Sequence, residues 1–125
     1  IEASCARVST RDGHLEAVFI NHKDMPDADR VTKVFADFRG RPQELGLPSA
    51  PLRPIIVRRE QDRPQPRLDS SAGEPARARG MAVTVGRVRT GRDKLRFYLL
   101  VHNTIRGGAG GSVLNAKLAY REGLI

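Results

Sequence analysis

Apolar and polar positions alternate through residues 3–10 and 14–22, and the alternation predicts two paired strands. In the second, Leu15, Ala17 and Phe19 fall on one face and Val18 and Ile20 on the other. A strand apolar on both faces belongs inside a sheet covered on both sides, or covered by a second subunit. Between the two runs stands Asp12-Gly13, a dipeptide favoured in two-residue hairpin turns. Such a turn would set Arg11 opposite His14 and bring Arg7, four residues earlier, onto their face.

From Asp27 the period lengthens. Val31, Val34, Phe35 and Phe38 recur at helical spacing, Asp27 and Asp29 supply a cap and negative charge at the start, and Gly40 marks the stop. Residues 41–53 are interrupted by Pro42, Gly46, Pro48 and Pro51, which predicts a loop with at most one helical turn around residues 43–45. Ile55, Ile56 and Val57 predict a short strand. Residues 61–80 predict a long loop, stiffened by Pro64 and Pro66 and mobile over residues 70–79. Within it Arg63 and Arg67 are read as ties to carbonyls and to carboxylates such as Asp62 and Asp69, ahead of a role in holding an anion or a neighbouring subunit.

Met81, Val83 and Val85 alternate, as do Leu95, Phe97, Leu99 and Val101, and residues 90–93 supply a turn between them, predicting a hairpin. Beyond it, Ser112 is a candidate N-cap for a helix carrying Val113, Leu114, Leu118 and Leu124. The sum is an α+β fold, a mixed, largely antiparallel sheet with helices on one face, forming a single domain over residues 1–125.

Composition narrows the function. With 125 residues, 39% hydrophobic, 29% charged and no Trp, the chain can build one thin core. No apolar run approaches the roughly 20 residues of a membrane-spanning helix, and no segment has the layout of a secretory signal. A cytoplasmic protein with no membrane partner is expected. The net charge of +8 raises nucleic-acid binding as an alternative. However, the arginines are scattered among Pro, Gly and Asp, without interleaved stacking aromatics or a densely basic helix face. A solvated surface, or a general field for small anionic ligands, fits that scatter better, and no nucleic-acid partner is expected.

Candidate chemistry gathers near the start. Arg7 carries a planar fork suited to a carboxylate, and His14 a ring that titrates near neutral pH. Cys5 beside them invites a Cys/His nucleophile, but a small buried strand residue is the plainer reading, and one cysteine forms no internal disulfide. No metal is expected. Near the other end, Gly107-Gly108-Ala109-Gly110-Gly111 opens a helix, the general form of an anion or cofactor cradle, although no phosphate-loop Lys accompanies it.

The run from Cys5 through Arg7 and Val8 to His14 resembles the C-x-R-V-x(5)-H segment of aspartate-semialdehyde dehydrogenases. The resemblance continues through Asp62-Arg63-Pro64-Gln65-Pro66-Arg67-Leu68-Asp69, Val85-Gly86-Arg87-Val88, His102-Asn103-Thr104-Ile105-Arg106 with the glycines after it, and Val113-Leu114-Asn115-Ala116. The block starting at Asp62 is similar to the fungal and archaeal branch. It implies the C-terminal catalytic and dimerisation domain of a glyceraldehyde-3-phosphate-dehydrogenase-like enzyme. The chain would then be a fragment whose N-terminal nucleotide-binding domain is absent, with residues 103–125 as the loop and helix returning toward that domain.

The resemblance also implies an activity: NADPH-dependent reduction of β-aspartyl phosphate to aspartate semialdehyde, with release of phosphate. The thioester would form on a Cys outside this chain, in the aspartate pathway to threonine, methionine, isoleucine and, in some organisms, lysine. By the same resemblance Arg7 would bind the substrate α-carboxylate and His14 would be the general acid/base. Asn103, Gly107 and Gly108 would contact NADP(H), which is held mainly by the missing domain. His22 and His102 would be structural. The assembly would be a homodimer or homotetramer, and the chain alone an inactive dimerisation module whose last helix exposes an apolar face.

Overall fold

The computed structural model describes residues 1–6 and 8–125, Ala6 by its backbone alone. Five strands form one sheet: β1 (Glu2–Ala6), β2 (His14–Asn21), β3 (Ile55–Arg58), β4 (Val83–Thr90) and β5 (Lys94–Val101), in the order β1-β2-β5-β4-β3. Three of the four pairings are antiparallel and only β3 runs parallel to β4, which is the mixed, largely antiparallel sheet expected. The helices are α1 (Ala28–Asp37), the single turns α2 (Arg41–Glu44) and α3 (Pro66–Asp69), and α4 (Gly110–Arg121).

Strand pairing sorts the side chains onto two faces. Val18 stands opposite Phe97, Ile20 opposite Leu95 and Leu99 opposite Val85, and these join Val31 and Phe35 of α1 in the main core. The Phe35 and Phe97 rings meet edge to face with centroids 5.2 Å apart, a geometry worth about 0.5–1.5 kcal/mol beyond burial. Asp27 caps α1 by accepting the Arg30 N–H at 2.7 Å. The predicted stripe is narrower than its spacing suggests, because Val34 and Phe38 face solvent. A second core, of Leu47, Ala50, Ala78, Met81 and Leu114, closes the end of the sheet where β4 begins and β5 finishes.

The opposite face is half covered. Over Thr84, Gly86 and Leu100 lies the segment carrying α3: a methyl group at Gly86 would come within 2.5 Å of the Arg63 carbonyl oxygen, and one at Gly13 within 3.2 Å of Pro66. The other half, Ala17, Phe19 and Tyr98 with Arg87, Arg89 and Arg96, lines an open hollow. Here β4 bulges between Gly86 and Arg89. Arg87, at φ 54°, stands in the bulge and sets its guanidinium 5.4 Å from the centre of the Tyr98 ring.

Asp69 holds the covering segment in place. It is 1% exposed, and its carboxylate accepts from Arg58 Nε at 3.1 Å, Arg63 Nε at 2.6 Å, a second Arg63 nitrogen and the Gln65 N–H at 2.8 Å. Burial by itself would raise its pKa. The bonds from Arg63 and Gln65 and the two guanidinium charges outweigh burial and hold the carboxyl below the usual carboxylate range. The tie expected of Arg63 is therefore present.

Three expectations change. Residues 70–79 are anchored at points along an otherwise largely exposed segment: Ala78 is wholly buried, Ala72 accepts the Ala82 N–H, and residues 76–78 form a 3-10 turn. The last helix begins at Gly110, continuing a π-helical turn (Ile105–Ala109), so Ser112 lies inside it and donates back to the Gly108 carbonyl. The opening turn is no two-residue hairpin. Ala6 pairs with Leu15 and Cys5 with Glu16, so a seven-residue connection separates β1 from β2 and Arg11 does not face His14 across a ladder.

Candidate active site

The connection between β1 and β2 is shaped by contacts at Thr10 and Gly13. Thr10 turns it by donating its N–H to the Val8 carbonyl and its hydroxyl to that of Asp12. Gly13, at φ 108°, then takes a conformation that side chains disfavour and leads into β2. Its N–H donates to the Asn103 side-chain oxygen at 3.0 Å, across a sequence separation of 90 residues. This contact joins the turn before His14 to the segment after β5.

Around that bond opens a cleft of about 330 Å³ lined by Cys5, Val8, Thr10, Arg11, Gly13, His14 and Asn103. Two of the predicted site residues, His14 and Asn103, thus meet. Asn103 spends its oxygen on Gly13, which leaves its amide nitrogen as the donor for a ligand. Gly107 and Gly108 stand outside this lining. Arg7 lies outside the described residues.

His14 opens β2 with its side chain 46% exposed, and its Nε2 lies 3.4 Å from a Glu16 oxygen two residues on. A carboxylate at this distance can hold the ring in one orientation. Cys5 stands opposite Glu16 on the neighbouring strand and is exposed, not buried as its sequence context suggests. Local desolvation and then the Glu16 carboxylate push the Cys5 thiol up from its usual value. A shift in this direction disfavours the thiolate that a nucleophile needs. The signal for Glu16 was present in the sequence as the i+2 neighbour of His14 on a strand; its chemistry becomes visible only with the ring beside it.

The remaining histidines are structural. His22 accepts the Asp24 N–H at 3.1 Å, and the buried His102 accepts that of Ile105 at 3.4 Å. The glycine run divides into two kinds of position. A methyl group at Gly110 would fall 2.6 Å from the Met81 sulfur, and one at Gly111 2.5 Å from the Arg106 carbonyl oxygen, so these two allow close packing. At Gly107 and Gly108 the nearest atom would be a carbonyl oxygen at 3.6 Å, leaving the backbone approachable.

The family profile described as "semialdehyde dehydrogenase, dimerisation domain" matches residues 1–106. The chain belongs to this family. The dimerisation domain is 51% identical over 121 residues to aspartate-semialdehyde dehydrogenase of Methanothermobacter thermautotrophicus, a match covering 94% of this chain and 33% of that protein. It is also 41% identical to the malonyl CoA reductase (NADP) of Metallosphaera sedula, over 100% of this chain and 34% of that one. A crystal structure of aspartate semialdehyde dehydrogenase with NADP from Candida albicans superposes with a TM-score of 0.74 at 32% identity, covering 91% of this chain and 31% of that chain. The dimerisation domain thus spans about a third of the length of the relatives it matches. Its α+β fold is theirs, and among the described residues no helix is long and apolar enough to cross a membrane.

Proposed function

We propose that this dimerisation domain supplies the substrate-binding and proton-transfer half of an NADP-dependent aspartate-semialdehyde dehydrogenase. The intact enzyme would reduce β-aspartyl phosphate to aspartate semialdehyde and release phosphate, in the cytoplasm. The supporting observation is the cleft where His14, Glu16-supported, meets Asn103 from the far end of the chain. His14 would give and take the proton at its ring nitrogen. Glu16 would orient the ring, and Arg7 would bind the substrate α-carboxylate through its fork.

The residues fit a dinucleotide cofactor held mainly by another domain. Gly107 and Gly108 present approachable backbone, and Asn103 has an amide donor with no partner among the described residues, suited to a carboxamide oxygen. NADPH, when bound, supplies the hydride. The reading places the thioester-forming Cys outside this chain. The half-open sheet face would meet a second copy, giving a homodimer or, with a further interface, a homotetramer.

The test is steady-state kinetics of the intact protein, with aspartate semialdehyde, phosphate and NADP in one direction and malonyl-CoA with NADPH in the other. Phosphate-dependent formation of NADPH is expected. Preference for malonyl-CoA, the substrate named for the Metallosphaera relative, would overturn the proposed substrate.

A further inference from the structure

Among the described residues, Cys5, His14 and Glu16 form the one group of three potential metal ligands, one donor atom from each lying within 4.8 Å of the others. Their placement follows from the sheet. His14 and Glu16 are two apart on β2 and so project from the same face, and Cys5 is the direct cross-strand partner of Glu16. One strand thus provides an i, i+2 pair and its antiparallel neighbour the third donor, on a rigid sheet rather than on loops.

We propose that Cys5, His14 and Glu16 bind a zinc ion at the mouth of the cleft. The proposal stands on these three donors and does not depend on the reaction assigned above. In a tetrahedral zinc centre with bonds of about 2.0–2.3 Å, neighbouring donor atoms lie roughly 3.5 Å apart. The 3.4 Å from His14 Nε2 to Glu16 already matches this spacing. Cys5 is exposed and its sulfur lies within 4.8 Å of the other two donors, so bringing it to roughly 3.5 Å takes at most a small side-chain rotation.

The donor set selects the metal. A thiolate, an imidazole and a carboxylate together suit zinc, whereas magnesium and calcium take oxygen alone. Binding converts the Cys5 thiol to thiolate and releases its proton to solvent. The two negative ligands, thiolate and Glu16, then balance the dication, and the fourth position is left to water. The group is close to a site but not a closed structural centre: three protein ligands and an exposed face describe reversible occupancy. Binding itself is independent of that reaction; inhibition by zinc, reversed by a chelator, would follow only from the proton-transfer role proposed for His14.

The experiment uses the intact protein that carries this chain. Cobalt, substituted for zinc, should give a thiolate-to-metal charge-transfer band that Cys5→Ser removes. Zinc affinity measured against a competing indicator should fall on the order of 10²-fold in Cys5→Ser and at least tenfold in Glu16→Gln. Without any substitution, zinc should protect Cys5 from alkylation, as read by peptide mass. A cobalt complex lacking the Cys5-dependent band, zinc affinity unchanged in either variant, or alkylation of Cys5 at the same rate with zinc present overturns the site.

Discussion

Two carboxylates in this domain sit in opposite circumstances. Asp69 is buried and receives hydrogen bonds from two arginines and a backbone N–H, while Glu16 is half-buried and, among the described residues, touches the exposed groups of His14 and Cys5. The first has no capacity left for a ligand; the second has lone pairs that the described residues do not fill. Saturation marks the polar cluster that holds the fold, and under-saturation marks the one left to act on something else.

That contrast can be broken most forcefully at Asp69. Asp69→Asn keeps the size but strands Arg58 and Arg63 against a neutral partner, and urea unfolding should show a loss of about 3–5 kcal/mol. A loss below about 1 kcal/mol, the range of exposed pairs, would mean the cluster is not structural. His14→Ala should lower kcat of the intact enzyme on the order of 10²-fold while its melting temperature stays put. Full turnover would remove His14 from proton transfer.

The glycines supply a finer test of the same division. Gly110→Ala should destabilise by about 1–3 kcal/mol, since the new methyl group meets Met81 and Ile105. Gly107→Ala should cost no more than about 0.5 kcal/mol and instead raise KM for NADP. Equal stability losses would erase the distinction between packing and open glycines.

The pH dependence has a definite sign. Asp69 has a lower pKa folded than unfolded, so the unfolded chain binds more protons in the window between the two values. Its contribution is present above the unfolded value, about 3.9, and is lost as pH falls through the folded one. Acid titration of stability should show this slope in the wild type and a shallower one in Asp69→Asn. Smallest of all, Glu16→Gln should change stability by no more than about 0.5 kcal/mol.

Much of this was legible along the chain. Alternation located β2, β4 and β5, and helical spacing with Asp27 located α1, because those patterns record local geometry and burial together. Asp12-Gly13 misled for a physical reason. The dipeptide does supply the left-handed residue, but the Gly13 N–H is taken by Asn103 and not by a hairpin closure, and no window around residue 13 contains Asn103. Residues 70–79 misled similarly, because small polar residues look mobile until Ala78 is seen buried against Leu47 and Met81. His14 and Asn103 were identified by resemblance to a family, whereas their meeting, and the presence of Glu16 and Cys5 beside them, required the strand register.

The arginines on the uncovered half of the sheet bear on how ionic strength acts. Two copies meeting through this half-face would bring Arg87, Arg89 and Arg96 of each toward the same three of the other. Counterions that screen charges beyond about 8 Å at physiological salt would ease that repulsion, so self-association by sedimentation should strengthen as salt is added. A basic surface built for a phosphate backbone responds in the opposite direction, losing its partner steeply over the same titration.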